Sequence, residues 1–528
     1  MRLLVEQIKV GLEATDADIF NIAKVRLNNT RTFSIPHRLF IYKRSIDARK
    51  KDDIKIVCTV CAEAEPKGGS INKDYLLTKG IKPLCEDQFE IKVGSVPPVP
   101  PVVVGFGPAG MFCALILARA GYKPIVIERG SDIDGRVKDV ENFYLTKKLD
   151  TDSNIQFGAG GAGTFSDGKL TTRINDAKCS FVLKTFFEHG APEDIMFKAK
   201  PHIGTDKLRG VVKSIDSEIR SLGGSIMYNT KLLSFENGVA HTTKGDIAYS
   251  DIILAIGHSA RDTYKYLMDR GFAIEPKAFS VGVRVEHLQS DINEAMYGKF
   301  ANDDRLGSAD YNISYRKDGK GVYSFCMCPG GTVVAGASEE GGVVVNGMST
   351  YARNGRNANS AICVQVDKED YGNDAARAIE FQRELERKAF LSAGADYSAP
   401  VQTIGDFYEG KASAEPKRIM PTYMDGNVKV CDINTILPKF VCDYLKIGFN
   451  EFGKKIKGFN SSDVPITGIE TRTSAPLRIL RDSDRYSAFM HPNVYPCGEG
   501  AGYAGGIMSA AIDGIMTAEA LIEQLITE

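Results

Sequence analysis

Gly105, Gly107 and Gly110, with a carboxylate at Glu128, are residue types that together can hold a pyrophosphate and a ribose. In the run Gly105-Phe-Gly107-Pro108-Ala109-Gly110 the first glycine permits a tight turn. The second presents backbone without a Cβ to a phosphate, and the third lets a helix pack closely on a strand. Glu128 lies about 20 residues on, where an acid can accept hydrogen bonds from a ribose diol. It would repel a 2′-phosphate, which argues against NADP at this position. Arg129 follows it directly. Arg136 either meets the phosphates or is an ordinary surface arginine.

Other residues could also do chemistry. Gly158-Ala159-Gly160-Gly161-Ala162-Gly163-Thr164 repeats the glycine spacing but has no strand–helix–strand around it. It suits a loop pressed against a flat or charged ligand. Lys169, His258, Arg472, Cys326 and Cys328 are pocket candidates, and none can be assigned as catalytic acid or base. Arg472 is read equally as an anion site or a structural ion pair. Cys326 and Cys328 are two apart, so on a regular strand they share a face, near the upper Cα separation for a disulfide, about 6.8 Å. Cys58 and Cys61 spell CxxC in a β pattern, without the helix N-terminus a redox pair needs, and read as packing residues. No metal site is expected.

The elements that must position these residues follow from periodicity. Val102–Val104 is an apolar run of the kind buried in a parallel sheet. The helical pattern after Gly110 stops at Gly121, and a second apolar strand, 124–127, ends on Glu128. Residues 131–150 are helix-like, 206–222 form an amphipathic helix, and 225–228 a strand. Asp251 to Leu254 leads into Ala255-Ile-Gly257. Residues 279–286 and 322–328 alternate like strands, 340–362 reads as a long polar loop, and 374–391 as a surface helix. At the N-terminus, 3–10, 16–27, 37–48 and 54–62 read as strand, helix, strand, strand, with Thr15 as helix cap.

The expected fold class is α/β. A Rossmann-like domain with a parallel sheet and a small β-meander is interrupted by an α+β substrate domain and preceded by a small ferredoxin-like module. The expected boundaries are 1–95 for that module, 96–101 for a proline-rich linker, and 102–270 for the first part of the nucleotide domain. Residues 271–489 form the insertion and 490–528 the nucleotide domain's C-terminal part.

A chain of 528 residues with net charge −1 gives no support for general nucleic-acid or anionic-membrane binding. No apolar run approaches the roughly 20 residues that span a bilayer. The charged N-terminus lacks a signal peptide's apolar core. Eleven scattered cysteines suit a reducing cytoplasm. The basic cluster Lys43, Arg44, Arg49, Lys50, Lys51 is read as a solvated sheet edge, with an RNA-facing surface as the alternative. Oligomeric state is not legible.

The far end of the chain, Val494 to Gly500 followed by a helix opening near Gly505-Gly506, resembles the C-terminal signature of FAD enzymes on the glutathione-reductase and hydroxybenzoate-hydroxylase plan. That resemblance implies FAD. It places Gly498 in the turn and Glu499 on the ribityl chain. Gly505, Gly506 and Ile507 form a helix start aimed at the flavin N1/C2=O edge, where the helix dipole would stabilise the reduced anion. It lays Gly161, Ala162, Gly163 and Thr164 along the flavin and its pyrophosphate, and Ala255 and Gly257 near the adenosine half. Nearly the whole chain is similar to a bacterial FAD-dependent dehydrogenase family without an established substrate. The shared strings are GFGPAG, FGAGGAGTFSDGKL, SFCMCPGG, NGMS with NANSA, GIETRTSAPLRI, CGEGAGYAGGI and KRSIDARK. Ala159 stands where the family tends to carry an acid.

The resemblance implies an FAD-dependent oxidoreductase passing hydride through flavin N5 to or from a small substrate, an anionic one on the anion-site reading of Arg472. With no second complete fingerprint, any NAD(P)H would visit transiently. The alternatives are an FAD-dependent RNA-modifying enzyme and a non-enzymatic FAD-binding redox sensor.

Overall fold

The computed structural model describes residues 1–68, 71–84, 89–172, 174, 176–413 and 415–527. Cys85 lies outside the described residues, and the ten described cysteines are all free.

The N-terminal residues form one antiparallel sheet in the order Arg38–Asp47, Lys55–Glu63, Arg2–Val10, Ile81–Pro83. The helix Asp16–Asn29 buries Ile19, Ala23 and Leu27. Its start is set by a capping box: the Thr15 hydroxyl accepts from the Asp18 N–H, and the Asp18 carboxylate accepts from the Thr15 N–H. Cys58 and Cys61 are buried in the sheet. The outer edge of Arg38–Asp47 is not free. The Arg44 N–H donates to Phe197 O at 2.7 Å, and the Ala199 N–H returns a bond to Arg44 O at 2.9 Å. Within the basic cluster, Arg44 pairs with Asp16 and Arg49 with Asp47. The segment that follows runs along the nucleotide half, where Phe89 meets Phe181 edge-on at 4.7 Å and Lys92 pairs with Glu523.

The nucleotide half is a five-stranded parallel sheet in the order Val494–Pro496, Ile252–Leu254, Val102–Val104, Ile125–Ile127, Ser225–Met227. The strands are short and fully apolar at the centre, as expected of a parallel sheet covered on both faces. The helices Pro108–Arg119, Thr205–Ser221 and Ile507–Thr527 pack together on one face. Gly514 makes the closest approach possible, because a Cβ there would overlap the Ala109 carbonyl oxygen. Chain order reverses at Val102–Val104, so the switch point, where α/β sheets bind ligands, lies at the ends of that strand and Ile252–Leu254. Leu232–Glu236, Val239–Thr242 and Gly245–Ala248 add a small antiparallel sheet.

The rest of the chain builds a seven-stranded sheet in the order Ser314–Lys317, Lys320–Cys328, Asn357–Val366, Phe279–Leu288, Pro465–Glu470, Ala399–Thr403, Val428–Val430. The helices Ala375–Ser392 and Lys439–Lys455 pack against it. Residues 340–362 correct the loop expected from their polar composition, because Val345–Met348 and the start of Asn357–Val366 are strands. Their asparagines serve buried charges on the neighbouring strand. Asn359 Oδ1 accepts from Arg284 Nη1 at 2.6 Å, and Asn357 Nδ2 donates to Glu286 at 3.1 Å. Buried polar groups need such partners, which overrides the low strand propensity of Asn.

Among the described residues no helix is long and apolar enough to cross a membrane, and no cluster of His, Cys, Asp and Glu could hold a metal ion.

Candidate functional site

One cleft of about 390 Å³ lies at the switch point. Its walls include Gly105, Gly107, Pro108, Ala109, Glu128 and Arg129 from the first fingerprint. Gly161, Ala162 and Gly163 come from the second glycine run, Ala255 and Gly257 from the central turn, and Glu499, Gly505, Gly506 and Ile507 from the C-terminal turn. The two glycine turns, nearly four hundred positions apart, therefore share a single cleft.

The first turn shows which glycines serve packing and which serve the opening. Gly105 has φ 99°, and a Cβ there would overlap the Ala255 carbonyl oxygen. A Cβ on Gly110 would overlap the Gly105 carbonyl oxygen. Gly110 is therefore a packing residue under the turn and does not line the cleft. At Gly107 a Cβ would meet only the Gly161 Cα, at an ordinary 3.6 Å. Gly107 caps the Pro108–Arg119 helix without any side-chain bond, which leaves first-turn N–H groups for an anion. Among the described residues no protein atom lies within 4 Å of a Cβ built on Gly505 or Gly506, so nothing there requires glycine except the space left. Gly257 is equally open, and its φ of 71° is a second reason for glycine.

Glu128 lines the cleft while its carboxylate binds backbone. Oε2 accepts from the Phe106 N–H at 2.8 Å, and Oε1 accepts from Gly130 and Gly158 at 3.0 and 2.9 Å. Three of roughly four lone-pair sites are thereby used, and one remains for a hydroxyl. Arg129 donates twice to Asp262, at 3.1 and 3.0 Å, and lies 4.2 Å over the Phe157 ring.

Arg136 corrects both readings of it, surface residue and phosphate ligand. It is fully buried. Nε donates to Asn154 O at 2.9 Å and Nη2 to Ile155 O at 2.8 Å, while Nη1 reaches the carbonyls of Gly158, Ala159 and Gly161. Burial lowers its pKa to about 9. With every donor on a loop carbonyl, it shapes the glycine loop from behind and has no side-chain atom on the cleft. Thr164 is also buried off the cleft, its hydroxyl donating to Ala159 O at 3.2 Å. Gly498 sits beneath the second turn, where its N–H donates to Asp513 at 2.7 Å. Asp513 is held in turn by Arg481 at 2.6 Å.

Glu499 is partly exposed on the cleft, and among the described residues its carboxylate has no hydrogen-bond or ion-pair partner. Burial raises its pKa to about 7 against the attraction of Lys277. A carboxylate left without a partner needs a ligand donor, and a polyol chain is one.

The opposite wall comes from the insertion and includes Phe325, Cys326, Cys328, Asn346, Gly347 and Arg472. Cys326 and Cys328 do not occupy a regular strand. The register slips between Phe325 and Cys328, and Cys326 has φ 44°. This bulge exposes Cys326 and buries Cys328, whose thiol donates to Cys326 O at 3.2 Å. Crowding by protein nevertheless pushes the Cys326 thiol up to about 12. Lys169 donates to Met327 O and to Asp167 at 2.5 Å, and Arg353 also grips Asp167, at 2.9 Å. These two cations hold the Asp167 carboxyl well below its usual range despite its burial. Arg472 is buried in an ion pair, Nε and Nη2 donating to Glu386 at 3.1 and 3.0 Å. His258 bonds Ser259 Oγ through Nδ1 at 2.9 Å.

The arrangement fits an extended dinucleotide carrying a flavin. It offers two helix starts, a strip of glycines whose missing side chains are the cleft, an acid with one site left, and an unpartnered acid at the far turn. Sequence reasoning missed the insertion-side pair Asn346 and Gly347, where a Cβ on Gly347 would overlap Arg284 Nη1. A lone Asn-Gly gives no local signal of a buried arginine from another strand.

Residues 278–473 match the family model described as "FAD-dependent protein, C-terminal domain-like". An uncharacterized protein of Clostridium beijerinckii is 48% identical over 501 residues, covering 92% of each chain. Among solved structures, glycine oxidase from Bacillus cereus aligns with 81% of this chain and 95% of its own at 11% identity and a TM-score of 0.35. L-proline dehydrogenase from P. horikoshii aligns over the same shares at 13% identity and a TM-score of 0.32. At those scores the likeness adds nothing to the fold described above.

Proposed function

Because this chain belongs to a family of FAD-dependent proteins, we propose that it is a flavin oxidoreductase that holds one FAD extended along the switch-point cleft and passes a hydride between flavin N5 and a small substrate. The observation that carries this reading is the convergence of the 105–110 and 498–507 turns on one cleft whose opposite wall is the insertion. Bound FAD supplies two-electron chemistry; the protein's share is binding, orientation and exclusion of water.

The backbone N–H groups at the start of Pro108–Arg119 would hold the phosphates, and Glu128 the ribose. Glu499 would hold the ribityl hydroxyls, and the start of Ile507–Thr527 would favour negative charge on the flavin's pyrimidine edge. Insertion residues Phe325 to Cys328 and Asn346 to Gly347 would cover the ring and bound the substrate space. Lys169 and Arg353 stand against the single carboxylate of Asp167, an excess of positive charge that supports an anionic substrate. NAD(P)H, with no second fingerprint to hold it, would bind only in passing. The free thiols support residence in a reducing cytoplasm.

The test is anaerobic addition of NADH and of NADPH to the purified yellow protein, followed by a screen of oxidants. Bleaching of the visible flavin band by either donor, or by an anionic substrate, is expected. A colourless protein that takes up no added FAD overturns the reading.

A further inference from the structure

We propose that His258 is a fixed hydrogen-bond donor to an oxyanion of the bound nucleotide, its pyrophosphate, and that Ser259 and Arg472 set its orientation. The inference rests on the FAD reading and deepens it.

The direction of each hydrogen bond follows from what each group can do. A guanidinium only donates. Arg472 Nη1 donates to Ser259 Oγ at 3.0 Å, so that oxygen is an acceptor there. The hydroxyl has one proton left, and its other neighbour is His258 Nδ1 at 2.9 Å. The oxygen could also accept from Nδ1–H through its second lone pair, but its own proton would then have no acceptor among the described residues. Donation to Nδ1 uses that proton and puts the ring proton on Nε2. Among the described residues Nε2 has no partner, and it is not sealed from solvent. It is the free edge of a ring on the cleft wall.

The ring also stays neutral. Burial, then the charges of Arg472 and Arg261, push the imidazole down to about 3, against the pull of Glu386 and of the residue's own carbonyl. Arg472 is itself locked. Its Nη1 also donates to Ser338 Oγ, and its other nitrogens to Glu386, which Arg261 grips at 2.8 Å through both Nη atoms. Glu339 bridges Arg261 and Arg383. Nearest the ring two guanidiniums, Arg472 and Arg261, act against one carboxylate, Glu386, so the local field favours an anionic acceptor in front of it.

Position along the cleft selects the pyrophosphate. Ala255 abuts the first glycine turn, its Cβ 3.3 Å from where a Gly110 Cβ would lie. Gly257 abuts the second, its carbonyl oxygen 2.5 Å from where a Gly500 Cβ would lie. His258 follows a segment wedged between the two turns, where the middle of an extended dinucleotide would pass. An exposed loop histidine would titrate near 6.5 and lose its tautomer; this one is built to do neither.

The experiment measures dissociation constants of FAD and of riboflavin, which has no phosphate, for the full chain stripped of flavin. His258→Ala should weaken FAD about tenfold, the scale of a hydrogen bond to a charged acceptor, and leave riboflavin unchanged. His258→Gln, which keeps an N–H donor, should recover most of that loss. Ser259→Ala should cost FAD about threefold, as a lost neutral hydrogen bond does, and should shift the imidazole ¹⁵N signals from the pure Nε2–H tautomer to a mixture. If His258→Ala does not fold, His258→Gln and Ser259→Ala carry the test, the first predicting near-normal FAD affinity and the second the tautomer change. Unchanged FAD affinity in His258→Ala, equal losses for FAD and riboflavin, or an Nδ1–H tautomer in the parent protein overturns the proposal. A parent protein that binds no FAD at all overturns the flavin reading instead.

Discussion

The two walls of the cleft are built on opposite principles. The nucleotide-side wall is backbone: glycines, helix starts and a carboxylate, Glu128, whose partners are three main-chain N–H groups. The insertion-side wall rests on side-chain ion clusters, Arg284–Glu470 within the insertion, and Arg261–Glu386–Arg472 and Lys169–Asp167–Arg353, which tie it to the nucleotide half. The first kind of wall recognises what every dinucleotide shares. The second fixes one geometry among polar groups that would otherwise be costly to bury, which suits a wall that selects a substrate. The difference teaches that binding and selection can be damaged separately.

Glu386→Ala should have the largest effect on stability. It leaves Arg261 and Arg472 buried with their shared carboxylate gone, a loss of about 3–5 kcal/mol in urea or thermal unfolding. Flavin that remains in the folded fraction should keep its parent affinity to within the effect transmitted through Ser259. Acid should imitate the substitution. Both cations hold the Glu386 carboxyl far below its ordinary value of 4.5. Its contribution is thus full above about 4.5 and lost as pH falls toward the folded-state value. A parent protein whose stability is flat from pH 5 to pH 3 would contradict the buried pairing.

Gly110→Ala attacks the other wall and should cost less stability, about 1–3 kcal/mol, the usual penalty for forcing atoms into a packed site. Its Cβ must displace the Gly105 carbonyl, which moves the turn itself. The purified variant should therefore be folded by circular dichroism yet contain little FAD. Full flavin content in that variant would show that the turn is not rigid enough to matter.

The same contrast explains what could be read from the chain alone. The 102–128 unit is local, so strand, glycine turn, helix and acid were all legible from spacing. Arg136 was not, because an arginine spends its donors on carbonyls that no periodicity reveals. Asn357 and Asn359 read as loop residues because their reason to be in a strand is an arginine and a glutamate about 75 positions earlier. Cys326 and Cys328 were placed on one strand face because a bulge leaves no mark in an alternating pattern. What a sequence hides here is pairing at a distance, and the insertion-side wall consists of little else.

Glu499→Gln should be the mildest change and the one that most sharpens the comparison. Unlike Glu386, Glu499 has no cation close enough to pair among the described residues, and burial lifts its carboxyl from 4.5 to about 7. The sign is therefore opposite. Between pH 4.5 and 7 the folded state of the flavin-free protein binds more proton than the unfolded state, so this group lowers stability as pH rises through that window. Glutamine removes the titration, so the variant should match the parent near pH 4.5 and exceed it at pH 7.5, with a flatter profile between. In the flavin-loaded protein the ribityl hydroxyls would give the parent carboxylate the donors it lacks, and the difference at pH 7.5 should shrink. Unfolding curves at the two pH values, with and without FAD, read both effects. A gap that stays the same when FAD is bound would mean that Glu499 does not touch the cofactor.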